Sequence, residues 1–321
     1  MLLNYWLVYR MRLVRSLDTY TDDTQGLALS IGNFDGLHIG HRAIIKELTT
    51  RAKAMNLTSA VMCFEPQPLE FFGKNKIPAR LSRFRDKLIG LRELGINRLF
   101  CLRFNEMLSS LSPEDFIFNV LFKKLNVRLL IVGDDFCFGK GGSGNYDLLK
   151  QYANKLGYEV ISMPSYKYNN ERVSSTSIRK LLSYGLLDRV APMLGEYFYI
   201  RGKVCHGKKI GSTLNFPTAN INLNRRVVPI FGSYAVKILM PDDSTKYGIA
   251  NVGLRPTVNG NYPLLEVFIF DFTGNLYTKE IKVSFIKKLR DEKKFPSLEA
   301  LKKQIAQDEM ETRRFFGILQ G

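Results

Sequence analysis

A change of hydrophobic pattern near residue 186 constrains the fold of this chain more than any other feature. Before it, apolar runs of strand length alternate with segments of helical length; after it, short runs of alternating polarity follow one another, separated by Gly, Pro, Asn and Asp. Strands that alternate with helices form right-handed crossovers in a parallel sheet, whereas closely spaced short strands form small antiparallel barrels. The sequence therefore predicts an α/β domain over residues 1–186 and a β-barrel domain over 187–321.

The predicted elements follow from these runs. In the first domain we expect strands over 26–33, 58–64, 98–104, 127–133 and 158–163, with helices over 39–55, 82–94, from 112 and after 146. In the second domain we expect strands over 199–205, 233–240, 245–252, 264–272 and 276–286, with a charged amphipathic helix over 297–315 at the end. Parallel sheets bind ligands at the carboxyl ends of their strands, which directs attention to the residues after the first strand.

Composition excludes several classes of protein. The 45% hydrophobic content is too high for a disordered chain, and no apolar run is long enough to span a membrane. The apolar N-terminal stretch ends at Arg10 without a small-residue cleavage site, so it does not predict a signal peptide, and Met11 is an alternative start to Met1. Four scattered cysteines without a CxxC pair suit a reducing cytoplasm.

The net charge of +17 is distributed over both halves of the chain. Such a balance suits either nucleic-acid binding or anionic small-molecule substrates drawn in by a positive field. No basic stripe with interleaved aromatic residues occurs, so the sequence favours anionic substrates.

The segment GNFDGLHIGH follows the first predicted strand and opens a helix. His38 and His41 are three residues apart and share one helical face, beside the unpaired N–H groups and positive dipole end of the helix N-terminus. Gly40 leaves room for close approach of a nucleotide, while Gly32 and Gly36 allow the tight turn. We interpret this segment as a site for transfer of the α-phosphate of a nucleoside triphosphate, with catalytic histidines.

A second phosphate-binding segment is SSTSIR, at the start of a later helix. Hydroxyl and N–H groups there, followed by an arginine one turn on, suit the β- and γ-phosphates of ATP, although a plain helix cap has the same composition. The residues concerned are Ser174, Ser175, Thr176 and Arg179.

The barrel half carries its own candidates for phosphate chemistry. His206 precedes a Gly- and Lys-bearing loop that can hold phosphates, with Lys208 or Lys209 as a source of charge. In PTAN, Thr218 and Asn220 point to one face of an extended segment and can hold Mg²⁺, although a plain turn is the structural alternative. Glu266 lies among apolar residues, where a carboxylate can serve as general base, although a half-exposed strand glutamate is the structural alternative.

The first-half motifs GNFDGLHIGHRAII, FEPQP, VGDDFCFGKG and VSSTSIR together resemble the adenylyltransferase module of prokaryotic bifunctional riboflavin kinase/FMN adenylyltransferases, the FAD synthetases. The resemblance implies a Rossmann-like nucleotidyltransferase sheet in which FMN attacks ATP to give FAD and pyrophosphate. It adds Phe34 and Asp35 to the ATP site. It also places Asp134 and Phe136 at the flavin, against the structural alternative of a strand end and a core aromatic residue.

The second-half motifs PTAN, PIFGSYA, GLRPTV, LEVFIFDF and the C-terminal segment resemble the riboflavin kinase module in order and spacing. That module is similar to a six-stranded antiparallel barrel that transfers the ATP γ-phosphate to the riboflavin 5′-hydroxyl. The resemblance makes Glu266 the base and assigns Asn251 and Arg290 to the flavin. The ATP site would comprise His206, Gly207, Lys208, Gly211, Pro217 and Thr218, with Thr218 and Asn220 at Mg²⁺.

These assignments predict a cytoplasmic enzyme that uses Mg²⁺, with ATP, riboflavin and FMN as substrates and FAD as final product. We expect no nucleic-acid or membrane partner, and self-association stays open. Three departures from the kinase pattern, Ser212, Asn215 and Phe268, keep an alternative: an FMN adenylyltransferase with weak or lost kinase activity. A non-catalytic flavin- or nucleotide-binding regulator is the alternative from another class.

Overall fold

The computed structural model describes residues 11–21, 25–73, 77–206, 216–223, 225, 227–257 and 260–318. They form two compact units: one from the residues up to 78 together with 82–174, the other from 79–81 together with the residues from 175 onward. The helices that follow residue 174 are thus counted with the barrel. The functional boundary at residue 186 stays a prediction.

The first unit is built on a six-stranded parallel sheet. Its strands are β1 (Arg12–Val14), β2 (Leu27–Ile31), β3 (Thr58–Glu65), β4 (Arg98–Arg103), β5 (Val127–Gly133) and β6 (Glu159–Met163), in the order β1-β4-β3-β2-β5-β6. The helices are α1 (Ile39–Ala54), α2 (Pro68–Phe72), α3 (Phe84–Glu93), α4 (Glu106–Ser109), α5 (Pro113–Asp115) and α6 (Tyr146–Leu156). A π-helix over Phe116–Lys124 and a hairpin of β7 (Lys167–Tyr168) and β8 (Glu171–Arg172) complete the unit.

The centre of this sheet is buried on both faces. Every residue of β2 is buried, and successive residues of the strand pack in two different cores: Leu27 and Leu29 in one, Ala28 in the other. Helices on both faces explain why such a strand is largely apolar. The carboxyl ends of β2, β3 and β5 lie at one edge of the sheet, where Gly32 and Asp134 follow their strands.

The second unit is a closed antiparallel barrel, as predicted. Two helices precede it, α7 (Ser175–Ser183) and α8 (Leu187–Leu194), and α9 (Leu298–Phe316) follows it. Its strands are β9 (Tyr199–Cys205), β10 (Thr218–Asn222), β11 (Gly232–Leu239), β12 (Thr245–Thr257), β13 (Gly260–Ile269) and β14 (Glu280–Arg290), in the order β10-β13-β12-β11-β14-β9.

The last barrel strand lies four residues later than the sequence pattern suggests. Residues from Leu276 to Lys279 form a turn, in which Lys279 N–H donates to the Leu276 carbonyl at 3.0 Å and Thr278 adopts a φ of 67°. The alternating polarity of this turn resembles a strand, and Thr278 N–H donates to the Val204 carbonyl of β9 at 2.9 Å, but the chain turns here before the strand begins. The strand itself begins at Glu280 and runs to Arg290.

Candidate active sites

The loop between β2 and α1 is held in an unusual backbone conformation. Phe34, Gly36 and Leu37 have φ values of 47°, 81° and 42°. The buried carboxylate of Asp35 accepts a hydrogen bond from the backbone N–H of Ser82 at 3.0 Å, and Gly36 N–H donates to Ser82 Oγ at 3.1 Å. These bonds tie the loop to the segment before α3 and so determine where α1 begins.

The two histidines of this loop form a stacked pair. His38 is the N-cap of α1, and its Nδ1 accepts a hydrogen bond from His41 N–H at 3.3 Å. The imidazole rings lie 3.6 Å apart between centroids with an angle of 17° between their planes, and Phe34 packs 5.1 Å from His41. The sequence prediction that His38 and His41 act as a unit therefore corresponds to direct contact.

The environment of His41 favours its neutral form. Burial, the charge of His38 and the ammonium of Lys87 together hold the pKa of His41 well below its usual value. Its Nδ1 is buried, and within the described part of the chain it has no hydrogen-bond partner. A neutral imidazole has one N–H to donate, and such a donor beside a helix N-terminus suits a phosphoryl oxygen.

Two glycines beside this pair leave little space for a larger side chain. A Cβ on Gly40 would stand 3.2 Å from His38 Nδ1 and 3.4 Å from Tyr166 Cβ, while a Cβ on Gly32 would stand 3.2 Å from the Phe34 ring. A side chain at either position would crowd the groups that define the site. That Gly40 leaves room for a nucleotide stays a prediction, as does the role of Gly32 and Gly36 in the tight turn, where Gly36 has a φ of 81°.

The flavin candidates Asp134 and Phe136 follow β5, the neighbour of β2. Asp134 is exposed, and hydrogen bonds from Ser165 Oγ at 2.7 Å and Ser165 N–H at 2.9 Å lower its pKa. Phe136 is half-buried and stacks on Phe138 at 5.6 Å. One side of its ring therefore packs against the hydrophobic core, as expected from the alternative that Phe136 is a core aromatic residue.

Sequence reasoning missed several residues of this sheet edge. Arg172 forms an ion pair with Asp135, next to Asp134. Phe71, Phe72 and Phe104 meet edge to face at 5.2–5.7 Å, with Phe72 largely exposed. Lys87 is buried inside α3 although it is charged. The ion pair and the aromatic cluster join residues that are distant in the chain, so the sequence does not predict them. A lysine at an apolar helix position, by contrast, is visible in the sequence.

The SSTSIR segment begins α7 as predicted, with Ser175 as its first residue. Ser174 is counted with the first unit and Ser175, Thr176 and Arg179 with the second. Within that second unit, Arg179 Nε donates to the Ala79 carbonyl at 2.5 Å. Part of its donor capacity is therefore used in holding residues 79–81.

In the barrel, three predicted residues lie side by side on adjacent strands. Asn220 of β10 is directly opposite Glu266 of β13, and Glu266 is directly opposite Asn251 of β12. All but the deeply buried Asn220 line a cavity of about 310 Å³, together with Thr218 and Arg290. A cavity of this size is in the range of small-molecule sites.

Asn220 fits the predicted metal ligand. Its Nδ2 donates to the Thr218 carbonyl at 3.2 Å, which leaves Oδ1 buried and, among the described residues, without a hydrogen bond. An uncompensated buried acceptor is costly, and a cation would satisfy it. Amide and hydroxyl oxygens are ligands that Mg²⁺ accepts alongside phosphate oxygens, so Asn220 and Thr218 fit this ion.

The C-terminal helix supplies a residue that sequence reasoning did not select. Asp308 of α9 is buried, and its Oδ2 accepts from Arg290 Nε at 2.9 Å while its Oδ1 accepts from Gln304 Nε2 at 2.9 Å. Arg290 is thereby held at the cavity wall. The signal in the sequence was weak, because the segment around Asp308 is charged throughout.

The remaining kinase candidates are described only in part. His206 stacks on Tyr277 at 3.9 Å, and Pro217 is exposed. Phe268, one of the departures, lines the cavity and packs against Phe216 at 5.2 Å. The candidates Gly207, Lys208 and Gly211, and the departures Ser212 and Asn215, lie outside the described residues.

Comparison with known proteins finds relatives that match nearly all of this sequence and of their own. The chain is 43% identical over 309 residues to a bifunctional riboflavin kinase/FMN adenylyltransferase of Escherichia coli, covering 96% of this chain and 99% of the relative. It is 41% identical to a protein of the same description from Haemophilus influenzae, covering 95% and 99%. A solved structure described as a macrolide-efflux protein from Streptococcus pneumoniae superposes with a TM-score of 0.80 at 28% identity, covering 94% and 98%. None of the helices in the described ranges has the length and apolarity needed to cross a bilayer.

Both sites offer donors and charges suited to phosphoryl groups, one at the carboxyl ends of the parallel strands and one in the barrel. Together they define a transferase of phosphorus-containing groups with two sites. The FAD synthetase family model matches residues 20–177, and the riboflavin kinase family model matches residues 194–316. The chain belongs to the family of bifunctional riboflavin kinase/FMN adenylyltransferases.

Proposed function

We propose that residues 1–186 transfer the adenylyl group of ATP to FMN, giving FAD and pyrophosphate, and that residues 187–321 phosphorylate riboflavin to FMN. The observation that carries this assignment is the separation of two kinds of chemistry. The stacked His38–His41 pair lies at a helix N-terminus, whereas Glu266 lies beside the buried Asn220 in the barrel. The first arrangement suits stabilisation of a transferring phosphate, and the second suits deprotonation of a hydroxyl.

In the adenylyl transfer, a phosphate oxygen of FMN attacks the α-phosphorus of ATP and the bond to the bridging oxygen of pyrophosphate breaks. His38 and His41 and the N–H groups that open α1 stabilise the negative charge of the transition state. Gly32, Phe34, Asp35, Gly36 and Gly40 shape the loop around the nucleotide. Asp134 and Phe136 contact the flavin. The triphosphate is held by Ser174, Ser175, Thr176 and Arg179.

In the kinase reaction, Glu266 accepts the proton of the riboflavin 5′-hydroxyl as that oxygen attacks the γ-phosphorus and ADP leaves. Asn251 and Arg290 line the flavin side of the cavity. Thr218 and Asn220 would hold Mg²⁺, which neutralises charge on the phosphates when bound. The loop candidates His206, Gly207, Lys208, Gly211 and Pro217 contact ATP.

The high positive charge then serves anionic substrates and products, and no nucleic-acid partner is needed to account for it. The enzyme works in the cytoplasm, where ATP is available and its four free cysteines stay reduced. Self-association stays open, and neither proposed reaction requires it.

A time course with riboflavin, ATP and Mg²⁺ tests the proposal, with riboflavin, FMN and FAD separated by chromatography. FMN is expected first and FAD after it. Untouched riboflavin with conversion of added FMN would leave only the adenylyltransferase and implicate Ser212, Asn215 and Phe268. No conversion of either substrate would instead favour the binding protein. Asn220→Ala is expected to raise the Mg²⁺ concentration needed for half-maximal FMN formation and to leave FAD formation from FMN unchanged.

A further inference from the structure

Lys87 is a charged side chain in a place where charge is rarely tolerated. It lies in the first half of α3 and is only 2% exposed. Asp86 and Leu91 of the same helix are also buried. Among the described residues it has no ion pair and no side-chain hydrogen bond. Its Nζ atom is not fully enclosed. The ammonium is therefore available to an anion that binds at this surface.

The position of α3 directs this ammonium toward the histidine pair. Ser82, just before α3, bonds to Asp35 and Gly36 of the histidine loop. Further along the helix, a Cβ on Gly90 would come within 2.4 Å of Leu37 Cδ1, so the loop rests directly on this helix. Lys87 is one turn before Gly90 and therefore shares its face.

Electrostatic effects on three neighbours locate the charge independently. After burial and His38, Lys87 is the third contribution that lowers the pKa of His41. The same ammonium makes a smaller contribution that lowers the pKa of Cys63 and of Cys101, which are register partners near the carboxyl ends of β3 and β4. Lys87 is thus close enough to His41 and to these strand ends for its charge to act on both.

We propose that Lys87 binds a phosphate group of the adenylyl-transfer substrates, beside His38 and His41. The neutral His41 contributes a hydrogen bond, and Lys87 contributes a positive charge. Charge-assisted contacts to phosphate are the strong kind of hydrogen bond, and they are stronger still away from water. The inference rests on the proposed adenylyl transfer and adds to it a residue with a distinct electrostatic role.

The test uses the full-length enzyme and steady-state FAD formation from FMN and ATP, varied one at a time. Lys87→Met removes the charge with little change of shape and is expected to lower kcat/KM about 10- to 100-fold. Lys87→Arg should recover a large part of that loss. Riboflavin phosphorylation in the same samples should stay unchanged. Lys46→Met, at an exposed position of α1, is the matched control and should leave both activities intact.

The substrate that shows the larger change identifies the phosphate. A rise in KM confined to ATP assigns Lys87 to the triphosphate, and a rise confined to FMN assigns it to the flavin phosphate. Wild-type kinetics in Lys87→Met would overturn the proposal.

Thermal stability separates this role from a structural one. Removal of an ammonium that makes no ion pair within the described part of the chain should leave the melting temperature unchanged or raised. A lower melting temperature, together with no recovery in Lys87→Arg, would also overturn the inference. Absence of FAD formation by the wild-type enzyme would instead contradict the proposed function itself.

Discussion

The imidazole rings of His38 and His41 stack 3.6 Å apart, and a hydrogen bond from His41 N–H to His38 Nδ1 joins the same two residues. One residue therefore does two things at once: His38 caps α1 and supports the ring of its partner. A substitution at His38 changes the helix end and the chemistry together, so a useful variant must separate them.

His38→Asn makes that separation. Asparagine is a preferred N-cap and should keep α1 intact, whereas alanine should cost about 1 kcal/mol of stability. Both variants, and His41→Ala, are expected to reduce FAD formation from FMN by at least about 100-fold, because a donor to the transferring phosphate is lost. Riboflavin phosphorylation should persist in all three when products are separated by chromatography. Parallel loss of both activities would contradict independent sites.

The depressed pKa of His41 predicts how stability depends on pH. In the unfolded chain a histidine binds a proton near pH 6.5, whereas folded His41 resists it. The unfolded state then binds more protons, so the free energy of unfolding should fall as pH decreases below about 6.5.

Denaturant titrations between pH 5 and pH 8 measure this dependence. His41→Gln should flatten the decrease below pH 6.5. Above pH 7.5 the wild type and the variant should have parallel profiles, since the imidazole is neutral in both states. An unchanged slope in the variant at low pH would show that His41 does not carry the linkage.

Glu266 is expected to be essential for only one of the two reactions. Glu266→Gln keeps the size of the side chain but cannot accept the proton of the riboflavin hydroxyl, so FMN formation should fall by at least about 100-fold. FAD formation from added FMN should be unaffected. Glu299→Gln, at an exposed position of α9, is the control and should leave both rates unchanged. Full kinase activity in Glu266→Gln would exclude this residue as the base.

The ion pair of Arg290 with Asp308 should contribute far more to the free energy of unfolding than the ion pair of Arg313 with Asp271. Asp308 is buried, and Asn in its place would leave the Arg290 guanidinium without its anion, at a cost of about 3 kcal/mol. Asp271 is about half exposed, so Asp271→Asn should cost less than about 1 kcal/mol.

Chemical denaturation of the two variants measures the difference. Because Arg290 lines the cavity, Asp308→Asn should also raise the KM for riboflavin, while Asp271→Asn should not. Equal stability losses would mean that burial does not decide the strength of the Arg290 pair.

Much of this architecture was predictable because it is encoded locally. Strand β2 is a largely apolar run with Ser30 as its polar residue, and α1 follows a loop whose glycines and histidines predict a turn and a helix start. The antiparallel barrel followed from short alternating runs in the same way. Local encoding also misled: the residues around Tyr277 alternate like a strand but form a turn with Thr278 at positive φ.

The sequence by itself determined the element types, the two kinds of fold and the identity of His38, His41, Asn220 and Glu266 as candidates, since each depends on periodicity or on a short motif. Tertiary structure alone decided that Asp308 holds Arg290 across the barrel cavity and that Lys87 lies beside His41. Such pairs are far apart in the chain, and only the packing of α9 and α3 brings their charges together. Burial then determines the energy of each charge, and burial depends on these packing contacts.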